Sequence, residues 1–519
     1  MHSPDEVAAI PLNSPVTNGT FCPQSQRRFV LIAAILASAL GFIDGSILAI
    51  AMPAIRVDLG ASLVEAQWIS NAYALTLSAL ILAGGAAGDR FGLRRAFVAG
   101  IALFIASSLA CAVAPNPGIL IAFRAIQGIG AAIMVPGSLA IIAKAYPKKE
   151  RGRAIGIWAA ASALTTALGP VLGGLVLSAF GDSIWRAIFA INLPLGLISI
   201  YLLVTKIPAD APVQKRNLDL GGGALATLAF GALAYGLTSM SAKGEGHMSG
   251  PSIAAGAVLL IAFIVFERRQ REPMIDLSLF RIRAFAGANV ATFFLYFALS
   301  ANLFYLPMLL IAGWGLSTAE VGFIFLPLSA CIALLSGFVG RLSDRIGPRF
   351  PIACGSLIVA FAFAGLALLT HAGIHNFWTG TFPLMALMGL GMALVVSPLS
   401  TAIMTAVDDK DTGAASGINN AVSRIGGLIA VAAMGSLAAW TYAAALNTSA
   451  LSGVPGFGEP APTGLAPALD AARLAASDAA FSAVASVTAL LCLLSAVIAW
   501  TTVSGEALPW SRGAADPRS

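Results

Sequence analysis

The chain has 519 residues, of which 58% are hydrophobic and only 10% carry a charge. Its mean hydropathy is +0.87, whereas charged residues make up about 25% of a typical soluble domain. A water-soluble fold is therefore excluded, and the composition predicts a polytopic membrane protein. The net charge of +6 does not indicate nucleic-acid binding, because the basic residues lie in short loops between apolar segments.

A membrane-spanning helix needs about 20 apolar residues, and fourteen apolar segments come near or exceed this length. The first is too long to be the apolar core of a cleaved signal peptide, so it is predicted to remain as a span. The eighth is the shortest. The segments lie near 29–53, 67–88, 97–114, 119–143, 154–179, 187–204, 220–240, 252–266, 284–311, 321–339, 350–369, 378–404, 412–439 and 479–503.

The Lys and Arg residues predict how the chain is oriented in the membrane. With a cytoplasmic N-terminus, the inner loops and termini hold 24 of the 30 basic side chains, the outer loops hold four, and Arg124 and Arg424 lie inside the membrane. Basic loops are enriched on the cytoplasmic side of bilayers. The sequence thus predicts a multi-pass protein of the cell (inner) membrane with both termini in the cytoplasm.

An internal repeat divides the chain into two halves. The loop after the second segment reads GAAGDRFGLRR (Gly85–Arg95), and the loop after the tenth reads GRLSDRIGPR (Gly340–Arg349). Repeats of this kind are typical of transporters. We therefore predict an all-helical membrane fold. Its parts are a polar tail (1–28), a six-helix bundle (29–205), two inserted helices (206–283), a second six-helix bundle (284–503) and a polar tail (504–519).

Asp44 is the only charged residue in the first apolar segment. An ionised carboxylate at the centre of a membrane helix costs about 2.5–3.5 kcal/mol on insertion scales, so a partner is expected. At 1.5 Å per residue, Asp44 and Arg124 of the fourth segment both lie about 21–22 Å from the inner face. We predict that they pair and that Asp44 exchanges protons. A nearby guanidinium favours the ionised carboxylate, and its withdrawal favours the protonated one. A static structural ion pair is the alternative.

The repeated loops predict a latch at the cytoplasmic face. Gly85 permits close helix approach, Asp89 can accept hydrogen bonds from a facing helix end, and the basic side chains remain in water. An ordinary basic inner loop is the alternative, but two copies at equivalent positions favour the latch. Its predicted members are Gly85, Asp89, Arg90, Arg94, Asp344 and Arg345.

The fifth segment contains GIWAAASALTTALGPVLGG (Gly156–Gly174). Gly169 and Pro170 interrupt the regular helical hydrogen bonding, and Gly173 and the other small residues allow tight packing. The stretch therefore predicts a hinge or a proton-tight seam, with a simple kink as the alternative.

A substrate cavity is predicted from polar and aromatic side chains within the spans. Arg424 has no acidic neighbour in the spans of its own half, so three roles remain open for it. It could line the cavity, contact an anionic group of the substrate, or bond to backbone carbonyls. Aromatic residues at these spacings also serve packing and interfacial roles. The candidates are Trp68, Tyr73, Gln127, Tyr296, Tyr305 and Arg424.

Other chemistry is not indicated. The five cysteines are scattered without metal-ligand or redox spacing. His371 and His375 lack an accompanying carboxylate or cysteine, so no metal site is predicted. No phosphate loop, pair of catalytic carboxylates or Ser-His-Asp set occurs in a plausible context, so an enzyme is not predicted. The outer loop at 441–477, rich in Pro, Gly and Ala, receives no predicted function.

These motifs together resemble the major facilitator superfamily, and within it the fourteen-helix drug:proton antiporter group of the EmrB/QacA type. Gly85–Arg95 looks like the loop signature between helices two and three, and Arg124 in FRAIQGIGAA is similar to the fourth-helix arginine motif. Gly156–Gly174 resembles the antiporter motif of helix five, with Thr165 where a glycine is common. Ile43–Pro53 resembles the first-helix motif, with Ala49 in place of a frequent Asn. The match extends over nearly the whole chain through WISNAYAL, WRAIFAINLPLG, EPMIDLSLFR and TGAASGINNAVSRIGG.

The resemblance implies proton-coupled export of small amphipathic organic compounds by alternating access, driven by the proton gradient without a cofactor. Several members of the group carry a further carboxylate in a late helix. In the second half of this chain the only acidic candidate near membrane depth is Glu320, at a helix start. This difference argues against divalent cationic substrates.

Two other functions are alternatives to export. One is a proton-coupled symporter for uptake of a small organic solute. The other is a non-transporting membrane sensor, for which the loops and tails are too short and polar to form an output domain. The expected partners are the substrate, protons and the lipid bilayer, with no nucleic acid. These motifs specify neither the substrate, the stoichiometry, the oligomeric state nor the need for a periplasmic adaptor protein.

Overall fold

The computed structural model describes residues 22–208, 219–240, 248–270, 273–408, 411–446, 454–462 and 464–506. Most of the two predicted tails and parts of the 441–477 loop lie outside these residues. The described residues form helices and turns, with no β-strand among them. Within them, fourteen helical segments are long and apolar enough to cross a membrane. Here the inner face is the side on which the first helix begins, and the outer face is the opposite side.

The first bundle is built from six spans, the last of which is broken into two helices. Ser62 and Glu65 form a reciprocal cap at the start of the second helix, and the Asn116 side chain caps the fourth just before Pro117. The helices are α1 (Arg27–Leu59), α2 (Leu63–Phe91), α3 (Leu93–Ala112), α4 (Pro117–Ala145), α5 (Lys148–Phe180), α6 (Trp185–Ala190) and α7 (Asn192–Lys206). α4 packs against both α2 and α3, and α1 contacts α4, α5 and α7.

Two inserted helices and a second six-span bundle follow. The short eighth apolar segment belongs to a helix of 21 residues, long enough to span. The inserted helices are α8 (Leu220–Ser239) and α9 (Ser249–Arg269). The second bundle contains α10 (Arg283–Met308), α11 (Thr318–Gly322), α12 (Leu326–Ile346), α13 (Arg349–His371), α14 (Phe382–Thr405), α15 (Thr412–Ala445) and α16 (Pro467–Thr502). α11 and α12 form one span through a 3₁₀ turn. The predicted fold, two bundles of six spans plus two inserted helices, is confirmed.

Small residues set the distances between helices in the first bundle. A Cβ at Gly84 would lie 2.0 Å from the Ala132 carbonyl oxygen, and a Cβ at Gly128 would lie 2.1 Å from Thr76 Oγ1. In a bilayer, where burial of apolar surface does not drive association, such close backbone packing holds helices together. α2 and α4 are thus held in one register. Arg124, one turn before Gly128, faces α2 as a result.

The two bundles touch at their outer ends through α5 and α11. The Thr318 hydroxyl donates to the Gly174 carbonyl at 3.1 Å, and a Cβ at Gly174 would lie 2.3 Å from the Thr318 carbonyl oxygen. One turn earlier in α5, the Pro170 carbonyl oxygen is 2.7 Å from the Cβ position of Gly322. Glycine at these positions therefore permits backbone contact between the two bundles.

The same stretch of α5 packs against α1 on its other side. A Cβ at Gly169 would lie 2.7 Å from Ser46 Oγ, and a Cβ at Gly173 would lie 2.8 Å from Ile47 Cγ2. The helix stays continuous through Pro170 from Lys148 to Phe180. In this conformation the stretch of α5 predicted as a hinge packs closely against α1 on one side and α11 on the other.

A second outer contact joins α2 to α10 and α15. Gln67 Nε2 donates to Tyr305 Oη and to the Val431 carbonyl, each at 2.8 Å. Tyr305 Oη also donates to the Val431 carbonyl. A Cβ at Gly435 would lie 1.6 Å from Gln67 Nε2. Gln67 and Tyr305 are both completely buried, so this contact seals the outer side of the interface.

The outer end of α1 is also tied to the loop between α15 and α16. Arg56, 3% exposed, donates to the Phe457 carbonyl at 2.8 Å and to Glu459 at 2.7 Å. The Phe457 ring packs against Tyr305 and Tyr442, with ring centroids 6.2 Å apart in each case. This part of the 441–477 loop therefore covers the outer closure, a role that sequence analysis did not predict.

Toward the inner face the α5 and α12 sides of the interface separate. Ala159, about three turns before Pro170 on the same face of α5, is exposed, as is Ala333 in α12. A Cβ added at Gly156 or at Gly337 would meet no neighbouring atom within 4 Å. Leu82 and Gly417 keep α2 and α15 in contact. The structure is thus closed at the outer face and open between α5 and α12 toward the inner face.

The inserted helix α8 lies across the junction of α2 and α15. Leu75 of α2, Ala234 of α8, and Leu428 and Ala432 of α15 form one buried apolar cluster. Ser436 of α15 donates to a backbone carbonyl of α8. α8 therefore contacts both bundles.

We expect Gly174→Leu to open the outer face, because added side-chain atoms would overlap the backbone of Thr318 and overpacking costs about 1–3 kcal/mol. Nitroxide labels at the exposed residues Val57 and Ile374, one on each bundle, would report the separation of the outer ends by double electron–electron resonance. The distance distribution should shift to longer values. Gly156→Leu, which meets open space, should leave it unchanged. An unaltered distribution in the Gly174 variant would contradict this account of the seam.

Candidate functional site

The centre of the first bundle contains a buried pair of opposite charges. Asp44 lies in the middle of α1, Arg124 lies two turns into α4, and each residue is 1% exposed. Arg124 Nη1 donates to Asp44 Oδ2. Both helices belong to the same bundle, so this pair does not join the two halves of the protein. The structure thus brings together the two charges whose depths in the membrane were predicted to match.

Gln127 completes the hydrogen bonding of the pair. Its Oε1 accepts from Arg124 Nη1 at 2.7 Å, and its Nε2 donates to Asp44 Oδ1 at 3.0 Å. Arg124 Nε donates to the carbonyl of Ile69 in α2 at 3.1 Å. Both carboxylate oxygens of Asp44 therefore have a donor. A buried ion pair is tolerated when further hydrogen bonds satisfy its remaining polar atoms, and Gln127 and Ile69 supply them.

Tyr73 forms the face of the site that is directed toward the other bundle. The Arg124 guanidinium carbon lies 4.4 Å from the centre of the Tyr73 ring, a distance at which cation–π attraction contributes. Tyr73 Oη approaches Gly41 of α1, 3.8 Å from its Cβ position. Gly45, next to Asp44, is exposed and has open space around it. The residue that follows the buried Asp44 in α1 therefore borders open space.

Arg424 and Tyr296 approach this site from the second bundle. Ala421 of α15, one turn before Arg424, shares a buried cluster with Tyr73 of α2. Gly427 of α15 lies against Ser300 of α10, one turn after Tyr296. Of the predicted cavity residues, Tyr73 and Gln127 therefore contact the ion pair, and Arg424 and Tyr296 belong to the part of the second bundle that faces α2.

Trp68 and Tyr305 lie elsewhere in this conformation, and their assignment to the cavity stays a prediction. Trp68 is about 140° around α2 from Tyr73 at 100° per residue, and its ring packs against Tyr235 of α8 at 6.4 Å. Tyr305 belongs to the outer closure with Gln67. Sequence spacing placed both residues at a suitable depth but did not determine which helix each one faces.

The predicted latch residues do not converge in this conformation. Asp89 and Arg90 are exposed at the inner end of α2, and Asp89 makes no hydrogen bond or ion pair with another described residue. Arg94 Nη1 donates to the Ile207 carbonyl within the first bundle. Gly85 approaches Pro136 of α4, 3.9 Å from its Cβ position. In the second copy, Arg345 is exposed and Asp344 is partly exposed near the end of α12. A latch that closes the inner face would be released when that face is open, so its role remains a prediction.

Asp478 is an acidic residue that sequence analysis missed. It is 4% exposed, accepts from Trp314 Nε1 at 2.8 Å and lies 2.6 Å from His375 Nε2. The second half therefore contains a buried carboxylate other than Glu320, which caps the start of α11 with Ser317. The sequence does indicate a carboxylate near membrane depth here, because Asp478 directly precedes the fourteenth apolar segment. α16 begins earlier, at Pro467, and so includes it.

Gln67 and Arg56 were also missed as parts of the outer closure. Arg56 follows the first apolar segment, so charge counting placed it in an outer loop, whereas it lies in the last turn of α1. Gln67 stands at the start of the second apolar segment as a polar residue of unknown orientation. Only the position of the other bundle shows what these side chains contact.

Comparison with known proteins agrees with this architecture. The chain matches the Major Facilitator Superfamily over residues 34–431 and 288–516. It is 35% identical over 422 residues to the multidrug resistance protein Stp of Mycobacterium tuberculosis, covering 80% of this chain and 76% of that protein. It is 33% identical over 414 residues to the tetracenomycin C resistance and export protein of Streptomyces glaucescens, covering 78% and 75%.

The fold is also similar to that of solved transporters. A bacterial homologue of the human lysosomal transporter Spinster, in an inward-facing and unoccupied conformation, superposes with a TM-score of 0.63 at 18% identity, covering 93% of this chain and 99% of that one. Likeness at this identity concerns the fold alone. The family match spans most of the chain, and its relatives share about a third of their aligned residues with it. This multi-pass membrane protein therefore belongs to the Major Facilitator Superfamily, as its motifs predicted.

Proposed function

We propose that the protein is a proton-coupled antiporter that exports small amphipathic organic compounds by alternating access. The observation that carries this proposal is the buried Asp44–Arg124 pair with Gln127, next to the exposed Gly45. Relatives named for multidrug resistance and for tetracenomycin C export support the direction and the class of substrate. The excess of basic residues on the inner face supports a cytoplasmic location for that face and both termini.

Asp44 is the proton-binding group in this proposal. While Arg124 and Gln127 donate to its two oxygens, the ionised carboxylate is stabilised and has no oxygen left without a donor. If Arg124 moves away, an ionised carboxylate in a medium of low dielectric constant becomes unfavourable, and Asp44 binds a proton instead. The inner-open conformation, in which the pair is formed, is therefore the state that has released its proton.

The conformational cycle follows from which contacts must break. From the inner-open state, a substrate enters between α5 and α12 and reaches Tyr73 and Tyr296. Opening of the outer face breaks the Gln67–Tyr305 and Gly174–Thr318 contacts, and Asp44 takes up a proton from outside as substrate leaves. Return to the inner-open state reforms the Asp44–Arg124 pair and releases the proton into the cytoplasm.

The proton gradient supplies the free energy, and the proposal requires no cofactor. Each proton that moves inward contributes about 2.3 kcal/mol per 100 mV of membrane potential, in addition to the pH difference. The titrating carboxylate must therefore be accessible from opposite sides in the two conformations. An antiporter binds either the proton or the substrate in each crossing, so loss of the carboxylate should uncouple the two fluxes.

We expect Asp44→Asn to abolish proton-driven transport, because an amide at this position cannot bind and release a proton. In inside-out vesicles with an acidic lumen, wild-type protein should accumulate ethidium in the lumen, and a protonophore should dissipate the accumulation. The Asp44 variant should show neither effect while inserting at normal levels. Asp182→Asn, which changes an exposed carboxylate, serves as the control and should transport like wild type. Undiminished coupled transport by the Asp44 variant would remove this residue from the mechanism. Proton-driven movement out of the vesicles would indicate symport.

We also expect the stabilities of Arg124→Gln and Asp44→Asn, each of which leaves one charge of the pair without its partner, to depend differently on pH. Breaking a buried pair by removing one partner costs about 3–5 kcal/mol. In Arg124→Gln the remaining carboxylate can neutralise itself with a proton, so the destabilisation should be small at low pH and grow as pH rises. In Asp44→Asn the remaining guanidinium stays charged at all accessible pH values, so the destabilisation should not vary with pH. Melting temperatures of the detergent-solubilised variants between pH 5 and 9 measure this. Parallel pH profiles for both variants would show that Asp44 does not titrate here.

A further inference from the structure

Arg424 is placed at the junction of the two bundles. It lies on the face of α15 that also carries Gly417, Ala421 and Leu428, and these residues pack against α2 and its neighbours. Gly427, on an adjacent face, lies against α10, where a Cβ would be 2.7 Å from Ser300 Oγ. The Arg424 side chain therefore enters the space between α2 and α10. Ala421, one turn before Arg424, shares a buried cluster with Tyr73 of α2, and Ser300, which lies against Gly427, is one turn after Tyr296 of α10. The side chain remains partly accessible.

Arg424 differs from the other arginines of the protein interior. Its Nε is enclosed and has no hydrogen-bond partner among the described residues, and none of those residues forms an ion pair with it. In contrast, Arg124 binds Asp44 and Arg56 binds Glu459. Arg473 binds Asp470 and two carbonyl groups. Of the two arginines within the predicted apolar segments, Arg124 and Arg424, only Arg424 has no anionic partner among the described residues.

An unpaired guanidinium at membrane depth is unfavourable, because its charge is desolvated without compensation. Arginine cannot lose its proton to relieve this cost, and it has five N–H donors arranged to bind carboxylates and other oxyanions. Tyr73 and Tyr296 provide aromatic rings beside it. The surroundings thus offer one positive charge, several unused donors and flat apolar surfaces, which together match an aromatic compound with an acidic group.

We propose that Arg424 binds the acidic group of the transported compound, so that the substrates include amphipathic organic anions. This inference rests on the proposed export function and specifies its substrate class. Arg124 is paired with Asp44, so of these two arginines only Arg424 is free to accept an anion while Asp44 is ionised. The inner-open state therefore presents a vacant anion-binding group to the cytoplasm. Export of an anion also moves negative charge outward, so an inside-negative membrane potential favours it directly.

A matched pair of fluorescent probes tests this assignment. 1-Anilinonaphthalene-8-sulfonate and N-phenyl-1-naphthylamine share the same aromatic core, and only the first carries a sulfonate. Binding of each probe to the purified, detergent-solubilised protein is measured by fluorescence titration for wild type, Arg424→Gln, Arg424→Lys and Arg153→Gln. Arg153 is an exposed arginine at the inner end of α5, so its replacement removes one positive charge away from the site.

We expect Arg424→Gln to weaken binding of the sulfonate by at least about tenfold, the effect of losing one charge-assisted hydrogen bond. Binding of N-phenyl-1-naphthylamine should stay unchanged, which also shows that the variant is folded. Arg424→Lys should retain most of the sulfonate affinity, and Arg153→Gln should retain all of it. Equal sulfonate affinity in wild type and Arg424→Gln would overturn the assignment. So would a wild-type protein that binds the sulfonate no more tightly than the neutral probe.

Transport measurements separate this inference from the proposed function. Proton-driven accumulation of ethidium in inside-out vesicles tests export without involving an anion. If that accumulation occurs but sulfonate binding does not depend on Arg424, export stands and the anion site is rejected. If sulfonate binding depends on Arg424 but no probe is moved by a proton gradient, the anion site stands and proton-coupled export is rejected.

Discussion

The rest of the structure depends on holding one carboxylate against an arginine inside a membrane protein. Arg124 and Gln127 together supply hydrogen-bond donors to both oxygens of the buried Asp44 side chain. Those donors come from α4, and α4 is held against α2 by backbone contacts at Gly84 and Gly128. The electrostatics of the site therefore rests on the close packing of small residues, which fixes the positions of the two charges. A shift of α4 along α2 would separate them.

The outer closure uses a different principle from the charged site. Between α5 and α11 the contact consists of backbone atoms at Gly174 and Gly322, and between α2 and α10 it consists of neutral hydrogen bonds from Gln67. Backbone packing and neutral hydrogen bonds can break and reform without leaving an isolated charge in the membrane. Among the described residues, one ion pair between buried Arg56 and partly exposed Glu459 lies at the rim of the closure. Apart from this rim pair the closure is neutral, whereas the Asp44–Arg124 pair stays within one bundle.

Much of the architecture follows from the sequence, because length alone identifies a membrane-spanning helix and basic residues orient it. The pairing of Asp44 with Arg124 was also predictable, since two opposite charges at equal depth have few alternatives in hydrocarbon. Side chains that face another helix were less predictable. Trp68 was assigned to the cavity but packs on α8, and Asp478 was overlooked because its helix extends beyond the apolar segment. Periodicity carries little information in helices that are apolar on every side, so the direction of each side chain emerges only from the packing.

The position of α8 has a consequence for how compounds dissolved in the lipid reach the cavity. This helix shares a buried cluster with α2 and α15 and so covers their junction along one flank of the molecule. Acyl chains on that flank meet the inserted hairpin instead of the gap between the halves. The opposite flank, between α5 and α12, has no such cover among the described residues. A compound in the inner leaflet would therefore meet α8 on one flank and the uncovered gap between α5 and α12 on the other, so the two inserted helices act as a wall as well as a link.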